Sequence, residues 1–168
     1  GRAFAHVVTG ASAGQSYELA HAGKFSHENV VASPFVQDKT IVMGTDDSPT
    51  IGGGRVYMYV GTKASSGSDV AKAGLVGGNL YGIAVTGLPA EAVNTTSVSR
   101  RFTAFNFGDV SAKTGAQLGT QASLNNVTLF SRPEDGACDP RRPADFYFVT
   151  TATFRSEEHT SELQSRLH

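Results

Sequence analysis

The sequence predicts an all-β protein built from antiparallel meanders, with at most one short helix. Between residues 23 and 63, clusters of Gly, Pro, Asp and Ser separate three short runs rich in β-branched and aromatic residues, a pattern typical of successive antiparallel strands. The 19 glycines among 168 residues fit a chain with many tight turns. Residues 56–60 alternate Val or Met with Tyr, and this period of two is expected of a strand.

The composition excludes several classes of protein. Lys and Arg total 14 and Asp and Glu total 15, so the basic surface of a nucleic-acid-binding protein is absent. No run approaches the roughly 18 apolar residues that a membrane-spanning helix needs. The one cysteine, Cys138, has no Cys-x-x-Cys partner and no histidine nearby in the sequence, so we expect a small buried side chain and no disulfide within the chain.

The first half of the chain provides most of the predicted strands. Residues 5–9 and 16–20 are expected to form two strands joined by a Gly- and Ser-rich turn. The meander of 23–63 follows, with a loop over 48–54 because consecutive glycines favour neither helix nor strand. Residues 80–85 supply a fourth strand. Four antiparallel strands in succession make one blade of a β-propeller or part of a β-sandwich.

The second half is less regular. Residues 102–107 alternate like a strand, and 146–151 are expected to form a closing strand. Between them, 114–118 is the one place where the sequence permits a short helix, although the glycines weaken it.

The two ends of the chain indicate where the fold begins and stops. The chain starts at Gly1 rather than Met, and we expect residues 1–154 to be an internal fragment of one domain. From Arg155 to Ser165 the residues resemble the conceptual translation of a sequencing adapter. We therefore expect 155–168 to be an artefactual tail outside the fold.

Two acidic positions in the meander are candidates for a metal site. Glu28 stands at the head of the first run, and Asp46 and Asp47 close the second. Strand ends about 5 Å apart can bring acids to one rim, where carboxylate oxygens suit a hard cation such as Ca²⁺. His27 or Asn29 would support Glu28 by hydrogen bonding. The alternatives are a solvated strand start at Glu28 and a turn capped by Asp46 and Asp47.

The densest cluster of charged residues is the segment 132–136. Pro133 fixes the backbone and Gly136 permits a sharp turn, so Glu134 and Asp135 can be presented rigidly to a cation, with Arg132 available for a phosphate oxygen. The alternative is an exposed, charged hairpin turn.

These segments together resemble the PhoX-type alkaline phosphatase family. The resemblance spans most of residues 20–151 and is carried by 23–29, 44–48 with 56–60, and 132–136 with 139–140 and 146–151. It implies a partial β-propeller of two to three blades. It further implies a metal-dependent hydrolase that cleaves phosphate monoesters with Ca²⁺ and Fe³⁺ and that bacteria export to the periplasm or beyond.

The resemblance also implies roles for individual residues. Glu28 matches the family's acid after the His, and Glu134 matches the acid of its Arg-Pro-Glu motif, so both are expected to bind metal. Asp46 and Asp47 match an acidic turn and are further candidate metal ligands, and Arg132 is a candidate catalytic helper. Cys138 stands where similar sequences carry Trp. The family's upstream part is missing, so we expect this chain alone to be inactive and unstable at its open sheet edges.

Two other functional hypotheses stay open at this point. A propeller can bind Ca²⁺ for structure or adhesion without catalysis, because fold does not fix function. An all-β sandwich of unknown role would instead pair its strands across two sheets.

Overall fold

The computed structural model describes residues 1–48, 52–92 and 99–151, together with the backbone of 163–167. Its helices and strands are β1 (Phe4–His6), β2 (Ser16–Glu18), β3 (His27–Ala32), β4 (Lys39–Asp46), β5 (Val56–Thr62), α1 (Asp69–Lys72), β6 (Asn79–Val85), β7 (Phe102–Gly108), α2 (Gly115–Leu124), β8 (Pro133–Cys138), β9 (Phe146–Thr150) and β10 (Leu163–Leu167).

The centre of the molecule is a five-stranded antiparallel sheet. Its order is β3-β4-β5-β6-β7, so every strand pairs with its neighbour in the chain. Opposed pairs such as Met43 with Met58 and Ile83 with Ala104 fix the register. The predicted meander is confirmed, and β7 extends it by one strand. Residues 49–51 of the predicted loop lie outside the described part of the chain.

Strand β5 is covered on both faces, because its residues alternate between two hydrophobic clusters. Tyr57 and Tyr59 belong to one cluster, whose other members include Leu80 and Leu118. Val56 packs with Phe148 in the other cluster, and Met58 lies against that side. The Val/Met and Tyr alternation in the sequence therefore corresponds to two buried surfaces.

Helix α2 covers the first of these faces. Thr114 is its N-cap: the Thr114 hydroxyl accepts from the Gln117 backbone N–H, and the Gln117 side chain returns a bond to the Thr114 backbone. This reciprocal pair starts the helix despite its glycines. Leu118 and Ala122, four residues apart, are buried against the sheet. The predicted helix is confirmed, and α1 adds a single turn capped by Ser68.

A second sheet covers the other face of the five-stranded sheet. Strand β8 pairs antiparallel with β9, which confirms the predicted closing strand, and Phe146 and Phe148 of β9 pack against Val56 and Ile83. Two antiparallel sheets packed in chain order are the arrangement of a partial propeller.

The acidic segment 132–136 lies mostly in a strand and does not form a hairpin turn. Pro133 begins β8, an edge position where a residue without an N–H is tolerated. The register between β8 and β9 shifts between Pro133 and Gly136. The chain reverses later, between β8 and β9.

The two ends of the chain form the remaining strands. Strands β1 and β2 pair antiparallel, as the sequence predicts. The backbone of β10 pairs with the free side of β9. The adapter origin of 155–168 stays a prediction.

None of the helices in the described ranges has the length and apolar character that a membrane crossing requires.

Candidate functional site

A bulge in β3 determines where Glu28 lies. His27 is opposite Asp46 and Asn29 is opposite Thr45, so Glu28 is an extra residue without a partner on β4. The Asn29 backbone N–H donates to the Thr45 hydroxyl at 3.0 Å, which closes the bulge. Because bulges redirect a side chain at the edge of a sheet, Glu28 is exposed at the rim where β4 ends.

Arg132 draws two carboxylates to this rim. Its Nε and Nη2 donate to the two oxygens of Asp47, each at 3.0 Å. The same Nη2 lies 2.8 Å from Glu134 Oε1, and the Thr151 hydroxyl donates to that oxygen. Paired, parallel bonds of this kind fix the plane of the guanidinium.

The backbone beneath this cluster is strained and tightly held. Arg132 has a φ of 58°, a left-handed conformation that costs a non-glycine residue about 1–3 kcal/mol. It persists because the flanking backbone is bonded: Thr151 N–H donates to Arg132 O at 3.1 Å. Gly54 and Phe130 exchange two backbone bonds at 3.0 and 2.8 Å. A side chain at Gly54 would collide with the Asp46 carbonyl and the Pro133 ring.

The charges around Arg132 are mostly negative. Hydrogen bonding to Asp47 raises the pKa of Arg132, and the charges of Asp47, Glu134 and Glu28 act in the same direction. Asn29 Nδ2 donates to Asp135 Oδ1 at 3.1 Å, which joins β3 to β8 beside the cluster. The structure therefore brings Asp47 and Glu134 onto one guanidinium, and the charge of Glu28 acts on it from the same rim; we call these four residues the Arg132 cluster.

Asp46 lies apart from the Arg132 cluster. Its Oδ1 accepts from the Ser26 backbone N–H at 3.1 Å. Burial raises the pKa of Asp46 from 3.8 to about 6, against the opposing effects of the Ser26 bond and the nearby Arg55 charge. Adjacent residues of an extended chain point to opposite sides, which explains why only Asp47 meets Arg132.

His27 is packed as an aromatic ring. Its centroid lies 3.7 Å from that of Phe25, and neither ring nitrogen has a hydrogen-bond partner in the described part of the chain. Burial lowers the pKa of His27 from 6.5 to about 4. The nearby Gly23 carbonyl opposes this shift, although its position relative to the ring is not that of a hydrogen bond. His27 therefore makes no hydrogen bond to Glu28. Asn29 does bond to an acid, but that acid is Asp135 of β8.

Three polar residues of this region carry no signal in the sequence. Thr151 and the buried Glu91 belong to segments without a polar motif, and Arg55 follows a glycine run. Arg55 is only 8% exposed and donates to the Ser123 hydroxyl at 2.8 Å, with its guanidinium beside the Tyr57 hydroxyl. Cys138 is half-buried against the second hydrophobic cluster, and burial raises its thiol pKa.

The Arg132 cluster does not form a metal cage by itself. Within 1–48, 52–92 and 99–151, no three His, Cys, Asp or Glu side chains converge in an arrangement that would hold a metal ion. Asp47 and Glu134 instead direct oxygens to Arg132. The residues present hold a guanidinium at an acidic rim, and this guanidinium can donate hydrogen bonds to an anion.

Comparison with known proteins identifies the class of fold. No protein-family model matches the chain, and no curated protein matches it. Among solved structures, it is similar in fold to a protein that has been captured with a transition-state analogue.

That structure is Pseudomonas fluorescens PhoX in complex with vanadate, with 18% sequence identity and a TM-score of 0.53 over 83% of this chain. The chain spans about a quarter of the length of that protein. The likeness shows the fold: an all-β, PhoX-like partial propeller.

Proposed function

We propose that this chain is part of a metal-dependent phosphomonoesterase of the PhoX type, exported to the periplasm or beyond. The observation that carries the proposal is the PhoX-like fold, with a TM-score of 0.53 to an enzyme held with vanadate. The Arg132 cluster supports it, because a fixed guanidinium at an open rim is suited to a phosphoryl group.

Arg132 is proposed to bind and orient the phosphoryl group. Its side chain is 40% exposed, and its bonds to Asp47 and Glu134 use Nε and Nη2. Nη1 has no partner in the described part of the chain, so its N–H groups can donate to a phosphoryl oxygen. Arginine is suited to this role because its charge is permanent and its donors lie in one plane.

Glu28, Asp47 and Glu134 are proposed as this chain's contribution to a cation site, with Ca²⁺ and Fe³⁺ as the ions that the resemblance implies. Their carboxylate oxygens have the right chemistry for hard cations, but the further ligands would come from the rest of the enzyme. A bound cation would polarise a phosphoryl oxygen. We leave Asp46 out of this set because its carboxylate is bonded to Ser26, whereas Asp47 is the acid of this pair that is bonded to Arg132.

The test uses the full-length protein encoded by the reading frame that contains this chain. Hydrolysis of p-nitrophenyl phosphate is measured with Ca²⁺ and Fe³⁺ present and after chelation. We expect metal-dependent turnover, and we expect Arg132→Lys to lower kcat/KM by about 100-fold because the bidentate geometry is lost. Arg141→Lys, which changes an exposed loop arginine, is the matched control and should leave turnover unchanged.

A second function remains as the opposing outcome of this test. If the metal-loaded protein binds Ca²⁺, by calorimetry, but hydrolyses no phosphate monoester, the chain belongs to a non-catalytic calcium-binding propeller with a structural or adhesive role.

A further inference from the structure

Glu91 is a buried acid whose carboxylate joins the end of β9 to the segment that precedes β8. It is 8% exposed, which is unusual for a glutamate unless it is paired. Its Oε2 accepts from the Ser131 backbone N–H at 2.8 Å, and its Oε1 accepts from the Thr150 hydroxyl at 2.8 Å. Each carboxylate oxygen is therefore bonded to a different strand-bearing segment.

Both partners stand one residue away from the Arg132 cluster. Ser131 precedes Arg132, and Thr150 precedes Thr151, which donates to Glu134. Arg132 and Thr151 are themselves joined by a backbone bond. Glu91 thus holds the two segments together directly behind the side chains that they present at the rim.

The backbone of Glu91 is anchored on the same side. Its N–H donates to the Leu129 carbonyl at 2.8 Å, and Leu129 N–H donates to the Pro89 carbonyl at 3.0 Å. The carboxylate therefore starts from a fixed position. The two carboxylate oxygens, held in place, can stabilise the left-handed backbone of Arg132. In the described part of the chain, Glu91 is the one side chain bonded to the backbone of Ser131, the residue before Arg132.

We propose that Glu91 is a positioning residue. Its hydrogen bonds to Ser131 and Thr150 hold Arg132 in the orientation that pairs it with Asp47 and directs it toward the phosphoryl group. The catalytic part of this inference rests on the proposed function, whereas the geometric part does not. To hold both Ser131 and Thr150, the side chain at position 91 must offer either two acceptors or one acceptor and one donor.

Two substitutions separate hydrogen bonding from charge. Glu91→Ala leaves the Ser131 N–H and the Thr150 hydroxyl buried without a partner. Glu91→Gln retains both bonds, because the amide oxygen accepts from Ser131 and the Thr150 hydroxyl can rotate to accept from the amide N–H₂. Leu118→Ala is the control, since Leu118 is buried on the opposite face of the five-stranded sheet.

The geometric part is tested by nuclear magnetic resonance on the full-length protein labelled with ¹⁵N-arginine. The Arg132 Nε–H signal is assigned by its loss in Arg132→Lys. We expect this signal to keep its position in Glu91→Gln and Leu118→Ala and to shift or broaden in Glu91→Ala. An unchanged signal in Glu91→Ala overturns the proposal, and so does an equal change in Glu91→Gln.

The catalytic part is tested in the full-length enzyme. We expect Glu91→Ala to lower kcat/KM by about 10- to 100-fold through misplacement of Arg132, with activity largely restored in Glu91→Gln and retained in Leu118→Ala. Equal losses in Glu91→Ala and Leu118→Ala would mean that Glu91 is merely structural. If the wild-type enzyme hydrolyses nothing, the proposed function fails, and the Nε–H signal alone decides the role of Glu91.

Discussion

His27 of β3 lies opposite Asp46 of β4, and burial shifts the pKa values of the two residues in opposite directions. The pKa of His27 falls from 6.5 to about 4, and that of Asp46 rises from 3.8 to about 6. Between these limits the unfolded chain binds more protons at His27, whereas the folded chain binds more at Asp46. The two residues therefore make opposite contributions to the pH dependence of stability.

Single substitutions should reveal each contribution. In His27→Phe, which keeps an aromatic ring on Phe25, only Asp46 remains, so stability is expected to fall as the pH rises from about 4 to about 6. In Asp46→Asn only His27 remains, so stability is expected to fall as the pH drops from about 6.5 to about 4. Urea unfolding across this range measures both slopes. Slopes of the same sign in the two variants would contradict the prediction.

The sequence identifies the residues of the Arg132 cluster better than it identifies their geometry. Glu28, Asp47, Arg132 and Glu134 are all candidates from the sequence, and the structure brings them to one rim; their binding of metal stays a prediction. The bulge that exposes Glu28 and the left-handed backbone of Arg132 have no marker in residue type. For the same reason the sequence cannot decide which acid of Asp46 and Asp47 faces Arg132.

Among the elements, α2 depends on Thr114, the residue that caps its N-terminus. Thr114→Ala removes the capping box and should cost about 1 kcal/mol of stability. Thr120→Ala is the control, because Thr120 is exposed within the same helix and caps nothing. Urea unfolding compares the two variants. A loss in Thr114→Ala no greater than that in Thr120→Ala would show that the cap does not determine the stability of α2.

The junction between the two sheets depends on a missing side chain. In Gly54→Ala the new methyl group would collide with the Asp46 carbonyl and the Pro133 ring. We expect a loss of about 1–3 kcal/mol of stability, with a displaced Arg132 Nε–H signal.

Gly119→Ala provides the control for Gly54→Ala. A methyl group at Gly119 meets no atom within 4 Å, and replacing a glycine inside a helix should add about 0.5–1 kcal/mol of stability. Stabilisation by both substitutions would mean that β8 can move away from Gly54 without cost.

As with the residues, the sequence predicts the elements that depend on local signals and fails for those that depend on distant contacts. Strands β4 to β7 follow from their runs of β-branched and aromatic residues, which are local signals, whereas the Thr114 cap that starts helix α2 is seen only in the structure. Strand β8 does not follow from local signals, because Pro133, Asp135 and Gly136 are typical of turns. It becomes a strand because β9 offers it an edge and because Pro133 stands at its first position.

At the scale of the whole molecule, the chain spans about a quarter of the length of the PhoX structure that its fold resembles. In the described part of the chain, β3 pairs only with β4 and β7 pairs only with β6, so both outer edges of the central sheet are open. Open edges offer unpaired N–H and C=O groups to other chains.

We therefore expect the isolated 168-residue chain to self-associate and to hydrolyse no phosphate monoester. Size-exclusion chromatography with light scattering, alongside a p-nitrophenyl phosphate assay with Ca²⁺ and Fe³⁺, measures both properties. Turnover by the isolated chain above that of its Arg132→Lys variant would contradict the expectation.

The double-sided burial of β5 has an optical consequence. The chain has no tryptophan and five tyrosines, and Tyr57 and Tyr59 are each only 2% exposed at the centre of the sheet. Its ultraviolet emission therefore comes mainly from phenol rings, two of which are buried inside the protein. Opening the centre of the sheet to solvent changes their surroundings, so the chain carries its own intrinsic fluorescent reporter of folding.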